Sequence, residues 1–261
     1  MKVYVSTDME GASGICRFDQ CGRNPELYEK EGRPLLMGDI NAVVQGLLDG
    51  GADEILVGDG HSGGANFIPQ MMHPGAKYYT GIERPGPAGG LDATFDCAVL
   101  LAYHAMNGTP TGMMHHTQSS LAESKYWYNG IESGEIVQSS LIIGHHGVPV
   151  VMVTGDEATC DEARHFLGDE IVTVAVKKGL SRQCCILIPP ERAHEMLREG
   201  AAECLKRVEK CKPFTMELPI EGKMVVQTDE YAQKRGCNLG TKVDEHTWVA
   251  TFESALDIYK F

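Results

Sequence analysis

The sequence predicts an α/β fold, a mostly parallel sheet flanked by helices, with a smaller C-terminal α+β portion. Three observations carry this. Short, continuously apolar runs such as Cys97 to Tyr103 and Val148 to Val153 have the length of strands buried on both faces. They alternate with segments whose apolar residues recur at helical spacing. Turns rich in glycine or proline punctuate the segments.

Lys2 to Thr7 is alternating and β-branched, a first strand that delivers Asp8 and Glu10 to its carboxyl end before a glycine-rich turn. Leu35 to Leu48 has helical spacing and stops at Gly50-Gly51. Glu54 to Val57 forms the second strand and runs into the loop GDGHSGG. Phe95 to Tyr103 is a third strand, ending at His104. Lys125 to Asn129 is a short aromatic strand before the turn at Asn129-Gly130, and Glu135 to Gly144 is a helix with an acidic first turn. Val148 to Val153 and Ile171 to Val176 are further strands, and Glu191 to Lys210 is a charged amphipathic helix introduced by Pro189-Pro190. Beyond Pro213 the pattern shortens to Met216 to Leu218, Met224 to Thr228 and Trp248 to Phe252. A soft boundary near Lys212 separates residues 1–212 from a smaller portion, 213–261, within one domain.

The chain has 261 residues, enough for a sizeable core. Its 36 acidic and 23 basic residues give a formal charge of −13, which disfavours nucleic acid and anionic lipid as partners. No apolar run approaches the ~20 residues a membrane helix needs. The amino-terminal MKVYVSTDMEG reaches acidic residues before any signal-like stretch, so the expected location is the cytoplasm. Nine scattered cysteines, without CxxC spacing, read as free thiols.

Four polar clusters fall at strand ends or helix starts: Asp8 with Glu10, Asp59 with His61, His104, and Glu135. Each alone reads as a solvated turn, a helix cap or a satisfied histidine. In an open α/β sheet, however, strand ends share one crevice, so these residues can converge. Carboxylates and imidazoles are ligands zinc accepts, and five suffice for two ions that share a carboxylate. Asp8, with two oxygens at a strand end, is the candidate bridge. His115 and His116 follow His104 closely, and one of them can serve as proton carrier.

Two other motifs compete. Gly58-Asp59-Gly60-His61-Ser62-Gly63 matches the dinucleotide pattern GxGxxG after a strand, yet Gly64 and Pro69 interrupt the helix that should follow. His194-Glu195 opens an HExxH-like helix, but Arg198 stands where the second histidine belongs.

With these residues in view, the sequence resembles the D-aminopeptidases of the dipeptide-transport-operon type, which are dinuclear zinc peptidases. VSTDMEGASGI, EILVGDGHSGG, LLAYHAM, TPTGMMHHT, YNGIESGEI and VPVVMVTGDE recur in the family's order, VAVKKGLSR also resembles the family, and the last third matches in outline. The resemblance implies Zn²⁺, two per subunit, with Asp8, Glu10, His61, His104 and Glu135 as ligands. It implies a catalytic histidine in a GxxxH segment followed by Ser or Thr, which Gly112, His116 and Thr117 fit. Counting from His104 without a gap points instead to His115, and His116 is the choice here. The resemblance further implies cleavage of the N-terminal peptide bond of short peptides, those with D-residues, by a ring-shaped homo-oligomer.

Two readings from other classes stand beside it. One is a nucleotide-binding oxidoreductase using the GxGxxG at Gly58, which bound nicotinamide would reveal. The other is a non-catalytic peptide-binding protein, disfavoured because a binder has no use for acidic groups that face one another without a cation.

Overall fold

Val3, Tyr4 and Val5 of the first strand, β1 (Lys2–Thr7), are all buried, as a strand covered on both faces requires. The computed structural model describes residues 1–235 and 240–261. After β1 come a one-turn helix α1 (Pro25–Leu27), a π-helical turn (Tyr28–Gly32) and α2 (Arg33–Asp49). Strands β2 (Glu54–Asp59), β3 (Lys77–Tyr79) and β4 (Cys97–Leu101) follow. The hairpin β5 (Lys125–Tyr128) and β6 (Ile131–Ser133) precedes α3 (Glu135–His145), β7 (Val150–Asp156) and α4 (Glu157–Leu167). The chain continues through β8 (Val172–Ser181), β9 (Cys184–Leu187), α5 (Pro190–Cys204), β10 (Ile220–Val225), α6 (Asp229–Lys234), β11 (Thr241–Lys242) and β12 (Thr247–Phe252).

The main sheet has the order β3-β2-β1-β4-β7-β8-β9 and is parallel except for β9, which returns antiparallel to β8. Every residue of β4 and β7 is buried. On α2 the buried Leu36, Met37, Ile40, Val43, Val44 and Leu47 make one stripe at helical spacing, and α2 packs on α5. Asp156 caps α4, its Oδ1 accepting from the Thr159 amide at 2.8 Å and the hydroxyl at 2.6 Å. The fold class read from sequence is therefore the observed one.

The second sheet is antiparallel, in the order β11-β12-β10-β5-β6. Its centre joins β10 to β5, with Gly222 opposite Tyr128 and Val225 opposite Lys125. The C-terminal strands thus complete a sheet begun in the middle of the chain, on the other side of Lys212. A separate core forms beneath them from Tyr126, Tyr128, Leu141, Met224, Trp248 and Phe252.

Some elements differ from the sequence reading. Met216 to Leu218 is irregular, because Pro213 and Pro219 bracket it and neither can donate to a ladder. The strand expected over Met224 to Thr228 is β10, displaced towards the amino terminus. The helix expected to reach Lys210 ends at Cys204 and passes into a 3-10 turn over Leu205–Arg207. No described helix is long and apolar enough to cross a membrane, and every described cysteine is a free thiol.

Candidate metal centre

The main sheet reverses its winding direction between β1 and β4, where α/β folds place their ligands. Beyond these strands the two segments stay locked together. The Asp8 amide donates to the Leu101 carbonyl at 2.8 Å, and the Gly11 amide to the Ala102 carbonyl at 2.8 Å. A Cβ on Gly11 would lie 1.9 Å from the Tyr103 carbonyl oxygen, so the close approach requires glycine there. Asp8 and Glu10 are thereby held next to His104.

The loop after β2 brings His61 to the same point, and α3 brings Glu135 on its first residue. His61 Nδ1 lies 3.0 Å from Asp8 Oδ1 and 3.1 Å from Glu10 Oε2. His104 Nε2 lies 3.3 Å from Asp8 Oδ2 and 3.4 Å from Glu135 Oε1. His116 Nε2 lies 4.0 Å from Glu135 Oε1, and its ring stacks on His104 at a centroid distance of 4.0 Å. Each oxygen of Asp8 therefore faces a different histidine.

All three histidines turn one nitrogen to a backbone carbonyl and the other into the acidic cluster. His61 Nε2 is 3.0 Å from the Cys21 oxygen, His104 Nδ1 is 3.0 Å from the Ala105 oxygen, and His116 Nδ1 is 2.9 Å from the Met114 oxygen. A carbonyl can only accept, so in each ring the outer nitrogen donates. When the ring is neutral the lone pair therefore sits on the inner nitrogen, the usual arrangement behind a metal ligand.

The electrostatics show what charge the cluster calls for, met here by protons on His61 and His104. Burial works against charge on Asp8, but its contacts with His104 and His61 prevail and hold the carboxyl well below the usual range. Burial likewise disfavours protonated His61 and His104, yet the surrounding carboxylates raise both well above an ordinary histidine. His116 differs: burial and the neighbouring His104 lower its pKa, so its ring stays neutral. The cluster demands positive charge in its midst, and Asp8 Oδ2, Glu10 Oε2 and His104 Nε2 are all buried without a hydrogen-bond partner. Two overlapping groups are spaced to hold a cation, Asp8 with Glu10 and His104, and His104 with His116 and Glu135; the single inner nitrogen of His104 can serve only one of them at a time. Buried unpartnered acceptors of this kind are costly, and cations would satisfy them.

Two cavities open on the cluster and share Asp8 and Glu135 in their walls. One, of about 300 Å³, extends past Tyr79 and Arg84; the other, of about 670 Å³, extends past Phe18 and His61.

The five predicted ligands and His116 are thus brought together. Asp59, by contrast, faces its own loop: its carboxylate accepts from the Asn66 amide, the Asn66 side chain and Thr80. His115 points away from the cluster, its Nδ1 accepting from the Gly108 amide at 3.0 Å, and burial pushes its pKa down to about 4. His194 stands 3.2 Å from Asp39 on α2. The GxGxxG loop enters a single 3-10 turn over His61–Gly63 and no dinucleotide-binding helix.

Sequence reasoning passed over two buried residues behind the site. Lys177, on β8, donates to the carbonyls of Glu10, Ala12 and Ile15 at 2.6, 2.9 and 2.6 Å. In sequence it is one of a pair, Lys177-Lys178, just past the expected strand Ile171 to Val176, and nothing sets it apart from its neighbour. Glu162, on α4, accepts from the Met106 amide at 2.7 Å just beyond His104. Nothing in its helical segment marks it out.

Carboxylates and imidazoles gathered at the switch point of a parallel sheet, around unsatisfied buried acceptors, define a metal-dependent hydrolase. A family model described as D-aminopeptidase matches residues 1–261. A D-aminopeptidase of Bacillus subtilis (strain 168) is 32% identical over 257 residues, covering 97% of this chain and 92% of the relative. A solved structure described as the Zn-dependent D-aminopeptidase DppA from Bacillus subtilis, a self-compartmentalizing protease, superposes with a TM-score of 0.90 at 29% identity. That match covers 100% of this chain and 94% of the other. The chain belongs to the D-aminopeptidase family and is a metallo-aminopeptidase.

Proposed function

We propose that this chain is a two-zinc enzyme that removes the N-terminal residue from short peptides, those with D-residues, in the cytoplasm and as a ring-shaped homo-oligomer. The observation that supports the metal centre is the trio of buried atoms without hydrogen-bond partners, Asp8 Oδ2, Glu10 Oε2 and His104 Nε2. Asp8, Glu10, His61, His104 and Glu135 would hold the ions, and the two oxygens of Asp8 face different histidines. Zinc bound there supplies Lewis acidity towards the scissile carbonyl and lowers the pKa of water.

The chain's own groups do the rest. The Met114 carbonyl fixes the proton of His116 on Nδ1, which leaves Nε2 as the basic atom facing the cluster. Kept neutral by burial, His116 takes a proton from the attacking water at Nε2 and returns it to the departing amine. Asp156 steadies the segment leading to His116, its Oδ2 accepting from the Met113 amide at 2.5 Å. The amide of Gln118 donates to Glu135 Oε1 at 2.7 Å and orients that carboxylate.

The test combines metal analysis with cleavage of D-Ala-D-Ala and L-Ala-L-Ala. The expected result is two zinc ions per chain, release of free alanine faster from the D,D peptide, and a mass well above one subunit by light scattering. Full turnover in metal-free protein would overturn the mechanism, and equal or greater turnover of the L,L peptide would overturn the stereochemical assignment.

A further inference from the structure

The smaller cavity has acid at one end and an unpaired cation in its wall. Asp8 and Glu135 line it together with Arg84 and Tyr79. Arg84 Nε donates to the Gly81 carbonyl at 2.9 Å, which fixes the guanidinium plane, while Nη2 is buried and has no hydrogen-bond partner. The Tyr79 hydroxyl is also buried and unpartnered. Among the described residues no carboxylate forms an ion pair with Arg84, although the chain carries 36 acidic residues against 23 basic ones. The fold also makes room for this cation: Gly64, at φ +104°, would place a Cβ 2.0 Å from Arg84 Nη2.

An arginine held in this way, with its charge uncompensated, Nη2 buried beside Gly64 and Nη1 making no hydrogen bond among the described residues, is built for a planar anion that arrives from outside. A guanidinium meets a carboxylate edge to edge, and a phenol hydroxyl adds a further donor. We propose that Arg84, with Tyr79, binds the C-terminal carboxylate of the substrate. On the aminopeptidase reading, on which this rests, the substrate amine and scissile bond lie at the acidic end of the same cavity. A cavity of about 300 Å³ holding both ends of the peptide limits it to a few residues. The enzyme then measures its substrate from end to end, and selects dipeptides and tripeptides with a free carboxylate over longer or capped chains. Arg23 in the larger cavity is a poorer candidate, since it is exposed, stacks on Phe18 at 4.2 Å and donates to Ser120 at 2.8 Å.

The test compares kcat/KM of the zinc-loaded enzyme for D-Ala-D-Ala and for its C-terminal amide. A charged hydrogen bond gained only by the free acid predicts a preference of about 10- to 100-fold. Arg84→Gln should bring that ratio close to one, Tyr79→Phe should reduce it in part, and Arg23→Gln should retain it. If the wild-type enzyme cleaves both substrates equally well, or Arg84→Gln keeps the preference, the carboxylate assignment is wrong while the peptidase reading stands. If neither substrate is cleaved, both fall. The wild-type comparison needs no variant, so poor folding of Arg84→Gln cannot shield the proposal.

Discussion

The ammonium of Lys177 donates to the carbonyl of Glu10 at 2.6 Å, inside a cage it completes with the Ala12 and Ile15 carbonyls. A fully buried lysine on β8 thus ties down the turn after β1 that bears two predicted ligands. Lys177→Met should leave the Glu10 and Ile15 carbonyls without a donor, each costing ~1–3 kcal/mol and offset by relief from burying the charge, while the Ala12 carbonyl keeps the Ile15 amide at 3.2 Å. The expected outcome is a net loss of about 3 kcal/mol in urea unfolding together with weaker zinc binding. Unchanged stability and metal affinity would assign Lys177 no part in holding the turn.

Chelation should abolish peptidase activity, and added Zn²⁺ should restore it. Melting temperature should fall in parallel, because Asp8, Glu10 and Glu135 are left facing one another. Rebinding should weaken steeply as pH falls, since carboxylate and imidazole ligands must lose their protons to bind. Calorimetry with and without metal checks both effects.

Replacing Glu135 with Gln keeps the side-chain shape and an oxygen for the Gln118 amide, but removes the charge 3.4 Å from His104. Bound zinc should drop from two ions towards one, with the circular dichroism spectrum unaltered. Two tightly held ions and normal turnover would return Glu135 to the role of an acidic helix start.

The adjacent histidines should separate cleanly. His116→Ala should lower kcat by about 100-fold or more with metal content intact, the usual worth of a positioned acid or base. His115→Ala, which loses only the contact to Gly108, should change kcat much less. The reverse pattern on one D-Ala dipeptide would transfer the catalytic role to His115.

Glu162 should make stability depend on pH. Burial raises its pKa to about 7 in the folded chain, so between the ordinary glutamate value and 7 the folded state binds more protons than the unfolded state. Stability from this group is therefore present at acidic pH and lost as pH rises through 7. In metal-stripped protein, Glu162→Gln should be more stable than wild type at pH 8 by up to about 3 kcal/mol, with the difference vanishing near pH 4.5. Thermal melts across that range would show it.

The residues of the centre were legible because each ligand side chain is local news: an acid after a buried strand, a histidine after a glycine turn, a glutamate opening a helix. What lies behind them was not. The carbonyls of Cys21, Ala105 and Met114 that orient the imidazoles belong to residue types that carry no signal, since any residue offers a carbonyl. Lys177 reaches Glu10 across 167 positions, a distance that no periodicity reports. Helix α4 went unread because its outward face is charged and its buried side is made of small or polar residues such as Ala158, Thr159 and Ala163. The pairing of β5 with β10 was invisible for a related reason: both are short, and nothing in either names its partner.

That pairing also sets an order of events during synthesis. Glu135 follows β6 by two positions, and the β5–β6 hairpin is fastened to the rest of its sheet through β10, which is made almost a hundred residues later. A lone two-stranded hairpin is marginal in water. A nascent chain that has already made Asp8, His61 and His104 therefore still lacks a firm seat for Glu135 until β10 has left the ribosome. The seat of Glu135 thus forms only once β10 has been made, long after the residues it is to face.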